Sequence, residues 1–295
     1  MAFFMVFLLH YEIPKKIVVH FSVVREMCKT PHSLEIAHPE RVMDFNALHH
    51  QNQPLLIANV WDASSALIAQ QAGYHALGTS SAAIATLLGY EDGERMIFDE
   101  LLFMVTRIKA VTSLPLSVDL ESGYGDTTSR IIENIHCLAQ AGIAGINIED
   151  SHVLNGARSL DDAHTFASKL QELTAACPDL FFNVRTDTFL LNIEDALEET
   201  LYRGQLYAAH GANGLFVPGL AQPDSIAALA HHITLPLNVM CMPTLPDFGI
   251  LASLGVRRIS MGNFIHAAMQ ARLKESLCKI QAHQSFTDVF DYENN

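Results

Sequence analysis

The sequence predicts an α/β fold, a (β/α)8 barrel of the TIM type, on three observations. Eight short apolar runs recur between Leu55 and Gly262. Longer stretches of helical period separate them. Several of those stretches close on a glycine (Ala72-Gly73, Ala141-Gly142, His210-Gly211, Leu254-Gly255), the residue best able to end a helix in the left-handed conformation. A strand followed by a helix, eight times over, is the pattern of a parallel barrel. A doubly wound sheet would carry G-x-G-x-x-G after its first strand; that position reads NVWDASS.

Residues 1–42 lack a clear period and read as an N-terminal appendage, leaving 43–295 as the barrel domain. The runs are LLIANV (55–60), HALGTS (75–80), LPLSVDLE (114–121), GINIED (145–150), FFNVRTD (181–187), GLFVPG (214–219), LPLNVMC (235–241) and RRISMG (257–262). Each is bounded by Gly, Pro, Asp or Asn, as buried parallel strands are. Amphipathic stretches at Thr127–Ala141, Leu160–Ala176 and Ile193–His210 supply helices between them. The histidine pairs His49-His50 and His231-His232 lack metal-ligand spacing and read as surface.

Composition narrows the partners. The chain has 295 residues, 49% hydrophobic and 17% charged, which suits a packed core and rules out disorder. Lys and Arg total 18 against 32 Asp and Glu, a formal charge of −14, so no basic face is available for nucleic acid. Met1–Leu9 is apolar but far short of the roughly 20 residues that span a bilayer, and it has no charged start like that of a signal peptide. No membrane partner is expected. Five cysteines without a C-x-x-C pair fit reduced thiols and a cytoplasmic protein.

In such a barrel the active face lies at the C-terminal ends of the strands. Polar residues gather there: Asn59 and Asp62, Thr79 with Ser80 and Ser81, Asp119 with Glu121, Glu149 with Asp150, Asn183 with Arg185 and Asp187, then Asn238 and Asn263. Asp119 and Glu121, two apart, should project to one side of their strand. With Glu149 they form three acids at one mouth, and a divalent cation, Mg²⁺ or Mn²⁺, removes their repulsion. Any one of them could instead cap the following helix. Arg185, inside an apolar strand, needs an anion: Asp187 or a barrel acid, or else the carboxylate or phosphonate of a substrate. No lysine ends a strand, which argues against Schiff-base chemistry, and neither a G-x-S-x-G elbow nor a P-loop occurs.

The motifs NVWDASSA (59–66), GTSSAAIATLLGYEDGE (78–94), SVDLESGYG (117–125), INIEDS (146–151), NVRTD (183–187) and GANGLFVPG (211–219) resemble the isocitrate lyase/phosphoenolpyruvate mutase superfamily. The resemblance implies a (β/α)8 barrel whose eighth helix, here Asn263–Gln281, is exchanged between subunits of a homo-oligomer, a dimer or tetramer. It implies Mg²⁺ held by Asp119, with Glu121 and Glu149 on metal-bound water. Ser80, Ser81 and Ala82 match the segment that grips the substrate carboxylate, and Asn238 joins them as a substrate-binding residue. Asp92, Tyr124 and Arg185 match catalytic positions, and Arg185 also matches the arginine that grips the substrate's other end. The segment EDSHVLNGARSLDD lacks the K-[KR]-C-G-H of isocitrate and methylisocitrate lyases, which excludes that activity. Of the mutase K-x-N-S only Asn155 is available; His152 and Arg158 are further candidates in that gating loop. The expected activity is Mg²⁺-dependent cleavage of a C–C or P–C bond in a small 2-oxo or 2-hydroxy acid through an enolate-like intermediate. The alternatives are a hydrolase or phosphonomutase on the same scaffold, acting on oxaloacetate or phosphonopyruvate, and a non-catalytic carboxylate-binding barrel.

Overall fold

The computed structural model describes residues 44–154 and 156–290. The expected appendage at 1–42 and the candidate Asn155 lie outside the described residues.

Each of the eight apolar runs forms a strand. The first run splits into β1 (Leu55–Leu56) and β2 (Ala58–Val60). Then come β3 (Leu77–Thr79), β4 (Leu116–Asp119), β5 (Gly145–Glu149), β8 (Phe181–Arg185), β9 (Gly214–Phe216), β10 (Leu237–Met240) and β11 (Arg258–Ser260). All pairings are parallel, in the order β1-β11-β10-β9-β8-β5-β4-β3-β2. β1 pairs with β11 and β2 with β3, so one run touches both ends of the sheet. Ile57, at the joint, donates its N–H to Ile259 and brings the barrel round.

Helices α2 (Ala63–Gln71), α3 (Ser81–Leu88), α4 (Phe98–Lys109), α5 (Thr128–Gln140), α6 (Ala163–Ala176), α7 (Ala196–Ala209), α8 (Pro223–His232) and α9 (Phe248–Ser253) follow the strands, and α1 (Phe45–Leu48) precedes them. Their starts are written in side chains: Asp62, Ser80, Thr127, Asp162 and Asp247 each accept a backbone N–H of the first turn. α10 (Phe264–His283) and α11 (Thr287–Phe290) end the described chain. His49 departs from its surface reading. It is buried against Phe181, ring centroids 4.0 Å apart, and burial, then the Arg258 charge, lower its pKa to about 3.

One element has no counterpart among the expected strands. Two strands, β6 (Ser151–Leu154) and β7 (Ala157–Leu160), pair antiparallel between β5 and α6. Leu160 therefore ends a strand, and the helix expected from it begins at Ala163.

Period-two alternation sends Ile146, Ile148, Val118 and Val184 outward to the helices, and their neighbours into the barrel. Side-chain hydrogen bonds across the barrel, three of them between strands that do not adjoin, show the inward direction. Arg258 of β11 reaches Ser117 of β4 (3.4 Å) and Asn147 of β5 (3.2 Å). Asn183 of β8 donates to Asn147 (2.9 Å) and to Asn238 of β10 (3.0 Å). The interior thus holds a polar layer, where branched apolar side chains usually fill a barrel. Two residues further along β4, β5 and β8 stand Asp119, Glu149 and Arg185.

Candidate active site

Asp119 closes β4. Its Oδ2 accepts the Ser81 hydroxyl at 2.8 Å and faces the Ser81 N–H at 3.5 Å, so the first turn of α3 points at it. Ser80 is spent one position earlier: its hydroxyl accepts from Ala83 as the helix cap. Ala82 lies in that same first turn.

Glu121 does not reach the rim by strand alternation. β4 ends at Asp119, and Glu121 sits at φ 51, in the left-handed region, where the two-residue rule does not apply. Its carboxylate is held by the Tyr124 hydroxyl (2.7 Å) and the Glu94 N–H (2.8 Å). Glu94 in turn locks the turn that follows. Its Oε1 accepts from the N–H groups of Ser122 (2.7 Å), Gly123 (3.0 Å) and Tyr124 (3.2 Å), a backbone nest filled by a carboxylate.

Glu149 and Arg185 stand opposite one another in the β5–β8 register. Arg185 grips Asp187 two-handed, Nε to Oδ1 at 2.7 Å and Nη2 to Oδ2 at 3.1 Å, while its Nη1 lies 3.2 Å from Glu149 Oε2. That last contact is charge to charge; Glu149 Oε2 is buried and has no hydrogen-bond partner among the described residues. A second guanidinium comes from the hairpin. Arg158 Nη1 donates to Glu149 Oε1, to Ser151 Oγ (2.8 Å) and to Asp187 Oδ2 (3.0 Å).

The electrostatics tie these groups into one site. Burial pushes Glu121 up to about 8, against the Tyr124 hydrogen bond and with added repulsion from Asp119, Asp92 and Glu149. Burial likewise raises Glu149 to about 7, with Arg185 and Arg158 pulling down and Asp187 and Asp119 pushing up. Asp92, at the exposed lip, is raised by desolvation of its carboxyl and by Asp119, and opposed by Arg158 and Arg185. Asp187 goes the other way: burial works against its charge, but Arg185, Ser151 and Arg158 hold it below the ordinary carboxylate range. Tyr124 is raised by burial and the Glu121 charge, so its hydroxyl keeps its proton.

Of the residues named from sequence, Asp92, Asp119, Glu121, Glu149 and Arg185 are close enough to shift one another's charge. Tyr124 joins through Glu121, and Ser81 through Asp119. Asn238 does not join. It is fully buried, donating to Val239 O (2.7 Å) and Ser260 Oγ (3.1 Å) and accepting from Asn183. Its amide is engaged inside the barrel, and Ser80 is placed as the cap of α3, its hydroxyl accepting from Ala83. Sequence reasoning gave no role to Glu94 or Ser151 and left Arg158 as one gating candidate of three. The DGE of GYEDGE was the only trace of Glu94, and nothing in a sequence tells that a carboxylate will fill a turn 28 residues away.

Among the described residues no group of three or more His, Cys, Asp or Glu is arranged to hold a metal directly. The donors nonetheless suit a cation held largely through water. Glu149 Oε2 is a buried acceptor without a donor among the described residues, and Glu121 is an acid raised by burial and further by its acidic neighbours. Mg²⁺ characteristically keeps several of its waters and takes only one or two carboxylates.

Known proteins carry the same frame. A protein of Burkholderia cenocepacia, provisionally described as a phosphonomutase, is 39% identical, with a TM-score of 0.75, over 80% of this chain and 97% of its own. An oxaloacetate decarboxylase of Pseudomonas syringae pv. tomato is 30% identical over 248 residues, 81% of this chain and 83% of that protein. An uncharacterised protein of Mycobacterium tuberculosis is 35% identical over 228 residues, 77% of this chain and 84% of that one. The fold of phosphonopyruvate hydrolase, crystallised with oxalate and Mg²⁺, superposes with a TM-score of 0.75 at 21% identity over 84% of this chain and 89% of that one. The family model for phosphoenolpyruvate phosphomutase matches residues 45–281, the whole of the barrel just described, and the chain belongs to that family of enzymes, within the phosphoenolpyruvate mutase/isocitrate lyase superfamily.

Proposed function

We propose that the protein is a Mg²⁺-dependent lyase that breaks the C–C bond one carbon removed from the carbonyl of a small 2-oxo acid, C3–C4 in oxaloacetate, the first substrate to test. The carrying observation is the layer of Asp119, Glu149 and Arg185 pointing inward at the strand ends, with a buried Glu149 oxygen left open. Asp119 would hold the cation, and Glu121 and Glu149 its waters; when bound, it supplies positive charge for a developing enolate oxygen. The chain's own residues do the remainder. The first turn of α3, at Ser81 and Ala82, receives the 2-oxo carboxylate. Tyr124 keeps Glu121 oriented. Asp92, at the lip, would relay a proton from solvent to the substrate carbon once the bond has broken.

With oxaloacetate, the C3–C4 bond breaks, CO₂ leaves, the electron pair stays as the enolate of pyruvate, and a proton on C3 completes pyruvate. The similarity to oxaloacetate decarboxylases across most of the chain favours this over the hydrolytic reading. Purified protein assayed on oxaloacetate, phosphonopyruvate and 2-methylisocitrate-type acids is expected to release pyruvate only with Mg²⁺ or Mn²⁺, above the metal's own background. Oxalate with acetate, or pyruvate with phosphate, would establish the hydrolase instead. Tight oxalate binding without turnover of any acid would leave a carboxylate-binding barrel.

The same reading includes a second copy of the chain. Along α10 only His266 is buried, edge-on to Trp61 at 4.8 Å. Ile265, Met269, Leu273 and Leu277 repeat every four residues and are all about half exposed. Such a stripe belongs against another surface. Leu67 and Ile68 on α2, with Phe248 and Ile250 on α9, are also exposed and offer apolar surface to receive it. Light scattering is expected to show a dimer or larger species, and Leu273→Glu with Leu277→Glu to yield a folded monomer; a monomeric wild-type protein at micromolar concentration would refute the reading.

A further inference from the structure

The two arginines of the site are not equivalent. Arg185 was the sequence's candidate for gripping an anion, yet its side-on edge, Nε and Nη2, is already filled by both oxygens of Asp187, and its remaining Nη1 faces Glu149. Arg158 is the reverse case. Among the described residues, all three of its bonds run through the single nitrogen Nη1. Nε and Nη2 have no acceptor among the described residues, and the side chain keeps 15% of its surface exposed. A guanidinium recognises a carboxylate or phosphonate with two parallel N–H groups, and in this site only Arg158 has such an edge open.

Its position suits that use. Arg158 shares Glu149 and Asp187 with Arg185, and its charge is felt by Asp92 at the lip. The hairpin that carries it is clamped at both feet: Asp161 N–H bonds to Asp150 O, and Arg203 bonds to the Asp150 carboxylate and the Asp161 carbonyl. Strand pairing 151–160 to 154–157 then fixes which face Arg158 presents: Ser151, Val153 and Arg158 lie on one side, and His152 and Ser159 pair on the other.

We infer that Arg158 is a specificity-determining residue, which binds a second acidic group of the substrate at the end away from the 2-oxo carboxylate, so that the site prefers dianionic acids. This rests on the functional reading above and names the substrate class within it. The shared chemistry is a terminal carboxylate or phosphonate; oxaloacetate and phosphonopyruvate separate the two.

The test compares wild type, Arg158→Lys and Arg158→Gln, each checked for folding by circular dichroism and thermal melting. With Mg²⁺ present, steady-state kinetics on both dianionic acids are set beside the affinity for oxalate, which has no distal group. Arg158→Gln is expected to raise KM about ten- to hundredfold for the acid that is turned over, as loss of charged hydrogen bonds does, and to change oxalate affinity far less; Lys restores part of the loss. Equal losses for oxalate and substrate would make Arg158 a mere latch and overturn the assignment, as would no change in either. A wild-type protein that neither binds oxalate nor consumes any of the acids defeats the functional reading itself, which is a different result from an unselective Arg158.

Discussion

Asp119→Ala is expected to reduce metal-dependent turnover about a thousandfold or more, without unfolding the barrel. Asp119 is the inward acid nearest the α3 N-terminus, and among the described residues its carboxylate accepts only from Ser81, through the hydroxyl and, at 3.5 Å, the N–H. Removing it frees the hydroxyl and N–H of Ser81, which water can satisfy, so the melting temperature should hardly move. What goes is the one carboxylate proposed to hold the cation, and charge stabilisation of a developing oxyanion in a preorganised site amounts to about three powers of ten or more in rate. A second readout does not depend on turnover. With pKa values of about 8 and about 7, Glu121 is mostly protonated and Glu149 about half protonated at pH 7 in the metal-free protein. A cation favours their charged forms and lowers both pKa values, so binding should expel about one proton. Calorimetry in two buffers of different ionisation enthalpy measures that number. It should vanish in Asp119→Ala, and Mg²⁺ binding equal to wild type in that variant would refute the ligand assignment.

The barrel was legible because its signal is redundant. Eight apolar runs, each with a glycine, proline or acid at its border, survive the failure of any one. The hairpin at 151–160 was not legible, since its pairing depends on register across a turn at Gly156 rather than on a continuous apolar run. The acids divide in the same way. Asp119 and Glu149 point inward because each stands in a strand, where alternation is fixed by geometry. Glu121 reached the same rim by a left-handed backbone step that no periodicity foretells. At Asp62, Ser80 and Asn238, the polar residue at a strand end makes a helix cap or a contact in the barrel interior. Sequence shows that a polar side chain is near the mouth; only the hydrogen bonds show whether it still has an atom to offer. That criterion separates Arg158 from Arg185, two residues that look alike as letters.

Arg203→Met should be the most damaging single change outside the site. Asp150 follows Glu149 in the chain, so alternation turns it outward, beneath α7, where it is wholly buried. Burial raises its pKa, and only its partners keep the charge tolerable: Arg203 Nη1 at 2.8 Å, Tyr207 Oη at 2.7 Å and Thr186 Oγ1 at 2.8 Å, all on Oδ2. Oδ1 has no partner among the described residues, so the cluster has no spare donor to make up a loss. Removing one member of a buried ion pair costs about 3–5 kcal/mol, because the other charge is stranded. For a domain of this size that lowers the melting temperature by roughly 10 °C. Asp150→Asn in the same chain should restore part of it by removing the stranded charge, whereas a further fall would show that the pair does not act as a unit. Arg203 also holds the Asp161 carbonyl at the foot of the hairpin, so Arg203→Met should loosen the base on which Arg158 is carried. Hydrogen exchange across 151–160 is then expected to quicken more than in β5 or β8, which distinguishes release of the hairpin from a uniform loss of stability.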